Sequence, residues 1–182
     1  MLKDLTLKIT PELAEKQGVN FNAPAGHLGT HFDVMNKEFP LSYTRLKAVV
    51  FDVRGCGNRE ITCADISLDD LHEGMFAGFC TGFIEEKGYG TPEYHRTHPV
   101  LSYELIDALI EKKISIIGID FAGVRRGKEH TPADQHCADH GVFIVENLTG
   151  LDQVIGHCVI NTYPMNYAGV SGLPCRVIAE TE

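Results

Sequence analysis

His27, His31 and Asp33 fall within AGHLGTHFDV, residues 25 to 34, threaded between Gly26 and Gly29. Neutral imidazole and carboxylate are donor types that suit zinc or manganese, with bonds of about 2.0–2.2 Å. On an extended segment His31 and Asp33 share one face while Phe32 takes the other. His27, across the glycine turn, can swing toward the same point. The competing reading is a polar loop with capping side chains, and the spacing alone leaves both open. A second set of candidates lies in GIDFAGVRRGKEHTPADQHCADHGVFIVENL. Glu146 ends an apolar run, and in α/β proteins catalytic groups gather at such strand ends. A solvated strand terminus is the plainer reading. Asp134 fits a helix start in which Thr131 is the N-cap and Pro132 follows it. His136 and His140 stand one helical turn apart, either as a joint metal pair or simply exposed.

Several elements must position these groups. LKAVVFDV (46–53) and GMFAGFCTGF (74–83) read as buried strands, the second with small residues that allow close packing. Leu101, Leu105, Ile106, Leu109 and Ile110 form one helical stripe, with Ser102 as N-cap and Lys112 and Lys113 at the C-terminal end. ISIIGID (114–120) follows as a strand. A shorter helix runs from Thr131-Pro132 to about His140, ended by Gly141. VFIVENL (142–148), HCVINTY (157–163) and PCRVIAE (174–180) complete the strands. Before them the first forty residues are irregular, punctuated by Pro11, Pro24 and Pro40. Alternating strands and helices in the second half indicate an α/β fold with extra β structure at both ends.

The 182 residues fit one domain, 1–182, with a sizeable core. Sixteen Lys+Arg against 25 Asp+Glu give a net charge of −9, which repels nucleic acid and anionic membranes and suits a site that gathers metal cations. A small-molecule substrate is the partner this leaves. MLKDLTLKIT carries charges and no long apolar run, so it does not read as a signal peptide, and no window approaches a membrane span. Six cysteines without a CxxC read as reduced, buried thiols of a cytoplasmic protein. Cys56, between two glycines, looks like the one in an exposed turn. Tyr94, His95 and His98 in EYHRTHP read as a surface loop, with the mouth of a cleft as the other reading.

HLGTHFD, together with Asp4-Leu5-Thr6 and HPVLSYELIDALIEKKISIIGID followed by GVFIVENL, resembles the cyclase family of metal-dependent hydrolases, which includes bacterial kynurenine formamidases. The resemblance runs from Asp4 to the closing LPCRVIAE. Of the family motif HxGTHxDxPxH, the chain has His27, Gly29, Thr30, His31 and Asp33. The resemblance implies a single-domain β/β/α sandwich of the swivelling-domain type with a mixed sheet, assembled as a homodimer or larger homo-oligomer. It implies hydrolysis of a small amide, formamide or lactam, arylformamidase-like, with one or two divalent ions of zinc or manganese. His27, His31, Asp33 and Glu146 would be ligands, with Asp33 and Glu146 able to bridge two ions. The ions would bring a bound water from a pKa of about 15.7 toward about 7.

The chain departs from the family in two places, the segment DVMNK and position 134. The family puts proline at Met35 and, as the usual general base, histidine at Lys37. Its other ligand histidine, twelve residues before Glu146, is Asp134 here, with His136 two positions away. A Lys37–Asp134 pair could fill the space of a second ion. Alternatively Asp134 is a ligand and Lys37, its pKa lowered by nearby metal, is the catalytic proton-transfer group. A family member that binds metal or a small ligand without turnover is the competing functional reading.

Overall fold

A computed structural model describes residues 2–5, 7, 13, 16–17, 26–57, 59–167 and 169–181. Thr6, Pro11 and Pro24, singled out above, lie outside these residues. Eight strands form one sheet: β1 (Leu2–Asp4), β2 (His31–Asp33), β3 (Arg45–Asp52), β4 (Phe76–Cys80), β5 (Ile116–Ile119), β6 (Phe143–Glu146), β7 (Gly156–Pro164) and β8 (Gly172–Glu180). Their order is β1-β8-β2-β6-β5-β4-β3-β7, and β8 also pairs with β7. The ring from β2 round to β8 therefore closes with seven strands. Pairings from β3 to β6 are parallel and the others antiparallel, which makes the sheet mixed, as expected.

Strand alternation divides the apolar residues between two faces. Leu46, Ala48, Val50, Phe76, Ile116, Phe143 and Val145 point into the ring, where they meet Phe32, Leu173 and Val177. Val49, Phe51, Ala77, Phe79, Ile117, Ile119 and Ile144 point outward. That outer face is covered by α3 (Tyr103–Glu111), through Leu105, Ile106 and Leu109, and by α4 (His130–Asp139), through Ala133 and Cys137. Two short helices, α1 (Phe83–Lys87) and α2 (Pro92–Thr97), precede them. Among the described residues no helix is long and apolar enough to cross a membrane.

Local chemistry explains where the elements differ from expectation. The strand expected over 74–83 ends at Cys80, because the Asp120 carboxylate accepts hydrogen bonds from the N–H groups of Thr81 (2.8 Å) and Gly82 (2.6 Å). Gly82, at φ 72°, then turns the chain into α1. Ser102 caps α3 as expected, accepting from the Leu105 N–H at 3.2 Å. α4 starts at His130, ahead of Thr131, after a 3₁₀ turn over Gly127–Glu129. The N-cap reading of Thr131 is therefore corrected. Pro132 sits in the first helical turn, where no N–H is needed, and Asp134 lies inside the helix on its buried side. EYHRTHP is not a loop but the body and end of α2, with Tyr94 and His98 buried and Glu93, His95, Arg96 and Thr97 exposed, and Cys56 is buried too. None of the six cysteines is in a disulfide.

Inside the ring, Gly78 of β4 and Gly118 of β5 are register partners, and the Phe76 ring lies over both. A Cβ at Gly118 would meet Phe76 Cζ at 2.1 Å and Leu148 Cδ1 at 3.0 Å. Gly118→Ala is therefore expected to overpack the interior and lower stability by about 1–3 kcal/mol. Urea unfolding would measure it, and an unchanged midpoint would show that the ring moves aside freely.

Candidate metal centre

Register places the first candidates. β2 pairs with β6 so that His31 lies opposite Glu146 and Asp33 opposite Ile144. Phe32 and Val145 fill the ring interior, so His31, Asp33 and Glu146 all face the helical side. This is the end of the parallel strands that the α/β argument pointed to. α4 packs on the same face and adds two side chains one turn apart, His130 and Asp134.

The polar atoms converge closely. His27 Nδ1 is 3.1 Å from Asp33 Oδ1, and His31 Nε2 is 3.7 Å from that same oxygen. Glu146 reaches both sides, with Oε2 3.6 Å from His31 Nε2 and Oε1 3.1 Å from His130 Nε2. His130 Nε2 is also 3.2 Å from Asp134 Oδ2. Two overlapping groups of candidate ligands result, His27-His31-Asp33 and Asp33-His130-Asp134, and Asp33 belongs to both.

Surrounding groups fix how these donors point. A carbonyl can only accept, so the 2.8 Å contact from His31 Nδ1 to Gly29 O puts a proton on Nδ1 and turns Nε2 toward Asp33 and Glu146, where it donates as imidazolium until a cation takes the place of its proton. Asn147, held at φ 59°, donates to the same carbonyl at 2.9 Å and accepts from the Tyr94 hydroxyl at 2.7 Å. Thr30 Oγ1 donates to Asn147 O at 2.9 Å, and Tyr89 Oη accepts from Gly29 N at 2.9 Å. Two glycines make room for the rings. A Cβ at Gly172 would lie 2.7 Å from His27 Nε2, and one at Gly123 would lie 2.9 Å from His130 Nε2.

Asp33, Asp134 and Glu146 are each 3–4% exposed, so three carboxylates share one dry site. Burial works against the charge of Asp33, but hydrogen bonds from His27 and His31 hold its carboxyl well below the usual range. Burial, reinforced by the Asp33 charge, pushes Asp134 up to about 8 and Glu146 well above an ordinary glutamate. Burial would lower His31, yet Asp33 and Glu146 outweigh it and raise the ring's pKa. Asp33 Oδ2 and Asp134 Oδ1 are buried with no hydrogen-bond partner. Two orphaned carboxylate oxygens among imidazoles are a donor set that fits divalent cations.

The expected ligands His27, His31, Asp33, Asp134 and Glu146 are thus brought together. Lys37 is not among the residues lining this cleft. Its ammonium pairs with Asp139 at 2.6 Å, both side chains more than a third exposed, so the Lys37–Asp134 pair, one of the two alternatives above, does not form. His136 points away as well, to Asp107 at 2.9 Å, and His140 bonds the His136 carbonyl at 2.8 Å. Their ring contact is on the outside of α4. The imidazole beside Asp134 is His130, which the sequence reading passed over. Its signal was the four-residue spacing to Asp134, legible only once the helix is known to begin before Thr131. The cleft holds about 520 Å³ and is completed by Tyr89, His95, His98 and Ala122. A hollow of about 560 Å³ at Tyr43, Ile114 and Gly141 has acidic groups only in the exposed Glu73 and Glu111.

The family described as "Putative cyclase" matches residues 3–125, which include the His27–Asp33 segment and stop before α4. A comparison with curated proteins gave no match. Among solved structures, a potential metal-dependent hydrolase with cyclase activity superposes with a TM-score of 0.80 at 24% identity, covering 98% of this chain and 96% of that one. A predicted metal-dependent hydrolase from Bacillus stearothermophilus gives 0.79 at 25% identity, covering 98% and 97%. Isatin hydrolase A from Labrenzia aggregata, bound to benzyl benzoate, shares the fold at 0.75 and 20% identity, covering 98% and 93%.

Two outcomes follow from this geometry. Gly172→Ala should displace the His27 ring and weaken divalent-metal binding by about 10–100-fold, as read by metal titration; unchanged affinity would remove His27 from the ligand set. The raised values of Asp134, Glu146 and His31 mean that, without metal, the folded state binds protons that the unfolded chain releases as the pH rises. Stability from these groups is present at low pH and lost as the pH climbs through the folded values. The urea midpoint of metal-free protein should therefore fall between about pH 5 and pH 8, and saturating zinc or manganese should abolish the fall. A midpoint that rises over that interval would contradict the shared burial of these groups.

Proposed function

Since the chain belongs to the cyclase family, we propose that it is a metal-dependent hydrolase that cleaves the C–N bond of a small amide, formamide or lactam. The observation that carries this reading is the pair of buried, partnerless oxygens, Asp33 Oδ2 and Asp134 Oδ1, in two ligand groups that share Asp33. His27 and His31 would hold one ion with Asp33, and His130 and Asp134 the other, with Glu146 reaching both. Bound zinc or manganese would supply a Lewis acid for the carbonyl and lower the pKa of water. The protein's own residues do the rest. Gly29 and Asn147 fix the orientation of the His31 ring, the ring interior behind β2 holds the donors rigid, and the 520 Å³ cleft has room for a small molecule. The swivelling-type layering, a homodimer or larger homo-oligomer and a cytoplasmic location belong to the same proposal. The reading of a family member without turnover draws on one feature, the engagement of Lys37 with Asp139.

Metal-free protein titrated with zinc or manganese should take two ions per chain. His130→Ala should take one, and His136→Ala should still take two. Equal metal in wild type and a His31→Ala/Asp33→Ala double variant would overturn the site. The loaded wild type should hydrolyse members of a panel of aryl formamides and lactams; two bound ions with no turnover on that panel would favour the non-catalytic reading.

A further inference from the structure

His98 lies between α2 and α3, 2% exposed, with its ring stacked on Phe121 at a centroid distance of 5.7 Å. It lines the same cleft as His31, His130 and Asp134. Its Nδ1 is 2.7 Å from the Pro99 carbonyl, which can only accept, so Nδ1 carries the ring proton. Nε2 is thereby a bare lone pair, and it has no hydrogen-bond partner among the described residues. Besides the carboxylate oxygens of the metal cluster, three other polar side chains lining the cleft have partners. Tyr89 accepts from Gly29, Asn147 binds Gly29 and Tyr94, and Ser171 meets His27 at 3.0 Å.

We propose that His98 is a specificity-determining residue, whose Nε2 accepts a hydrogen bond from the N–H of the substrate's scissile amide. Burial, with smaller contributions from Arg126 and His130, lowers the ring's pKa to about 4, so the imidazole stays neutral and cannot become a donor at neutral pH. A neutral, sheltered nitrogen whose tautomer is locked is suited to reading a donor. It is poorly suited to proton transfer, which works best when the pKa lies near the operating pH. Nε2 opens to the cleft, and a substrate that covers it without supplying an N–H leaves the acceptor unpaired and buried, so substrates lacking the N–H are penalised more than a lost contact alone would imply. The chemistry selected is a secondary amide, a lactam or an N-aryl formamide, over its N-alkylated counterpart. This rests on the hydrolase reading above.

The test compares isatin with N-methylisatin, and formanilide with N-methylformanilide, on metal-loaded wild type, His98→Asn and His98→Phe. Asparagine keeps a donor for Pro99 but, being shorter, leaves the Nε2 position empty, its Oδ1 falling at the place of Cδ2; phenylalanine keeps the stack on Phe121 and removes both nitrogens. In wild type, kcat/KM should favour the N–H substrate by on the order of 10²-fold or more. Both variants should lose that preference by lowering the rate on the N–H substrate alone, with metal content unchanged. The same preference in wild type and either metal-loaded variant overturns the proposal. Wild type inactive on both pairs overturns the hydrolase reading, and this proposal with it. A readout independent of turnover and of any variant is the ¹⁵N spectrum of the His98 imidazole in metal-free protein. A protonated Nδ1 with a bare Nε2 is expected, and the reverse tautomer overturns the assignment.

Discussion

Three carboxylates buried within reach of one another are the constraint on which the rest of this structure depends. Removing Asp33, Asp134 and Glu146 from water is expensive, and their mutual repulsion adds to the cost. Without metal the site lowers that cost with protons on Asp134 and Glu146 and with hydrogen bonds from His27 and His31 to Asp33. Two oxygens remain without partners even so. A scaffold has no structural need for such an arrangement, since apolar residues of similar volume would pack the same space at less cost. A site that exchanges protons for cations does need it.

Rigidity behind the cluster keeps the carboxylates from relaxing apart. The closed ring fixes β2 between β6 and β8, so His31 cannot slip from its place opposite Glu146 without turning Phe32 out of the interior. Gly172 in β8 and Gly123 before α4 carry no side chain at the two places where the His27 and His130 rings need the space. α4 is held on the outer face by Ala133 and Cys137, which brings His130 and Asp134 over the end of β6. Ring, glycines and helix together hold donors from three separate parts of the chain at distances of 3.1–3.7 Å.

The two departures from the family motif have separate physical outcomes. Lys37 leaves the cleft for Asp139 on the last turn of α4, where a cation also suits the helix dipole. Asp134 stays in the cluster, and the imidazole that its position lacks is supplied one turn earlier by His130. The helix thus presents an imidazole and a carboxylate, one turn apart, on the face that meets β6.

Much was legible in the sequence because it depends on local chemistry. The stripe Leu101–Ile110 behind the Ser102 cap, the dense apolar strands and the Gly141 stop follow from periodicity and backbone preference over a few residues. The sharing of a face by His31 and Asp33 follows from strand alternation, Glu146 stands out at the end of an apolar strand, and the wider family resemblance pointed to Glu146 as a ligand and to position 134. What the sequence could not decide depends on contacts between distant segments. Closure of the ring through β8, the burial of His98 and Tyr94, the end of β4 under the Asp120 carboxylate and the partner chosen by Lys37 are all of this kind. His130 shows the division most sharply. Its spacing to Asp134 was present in the sequence, but only the packing of α4 on β6 determines which of that helix's histidines faces three carboxylates and which faces water.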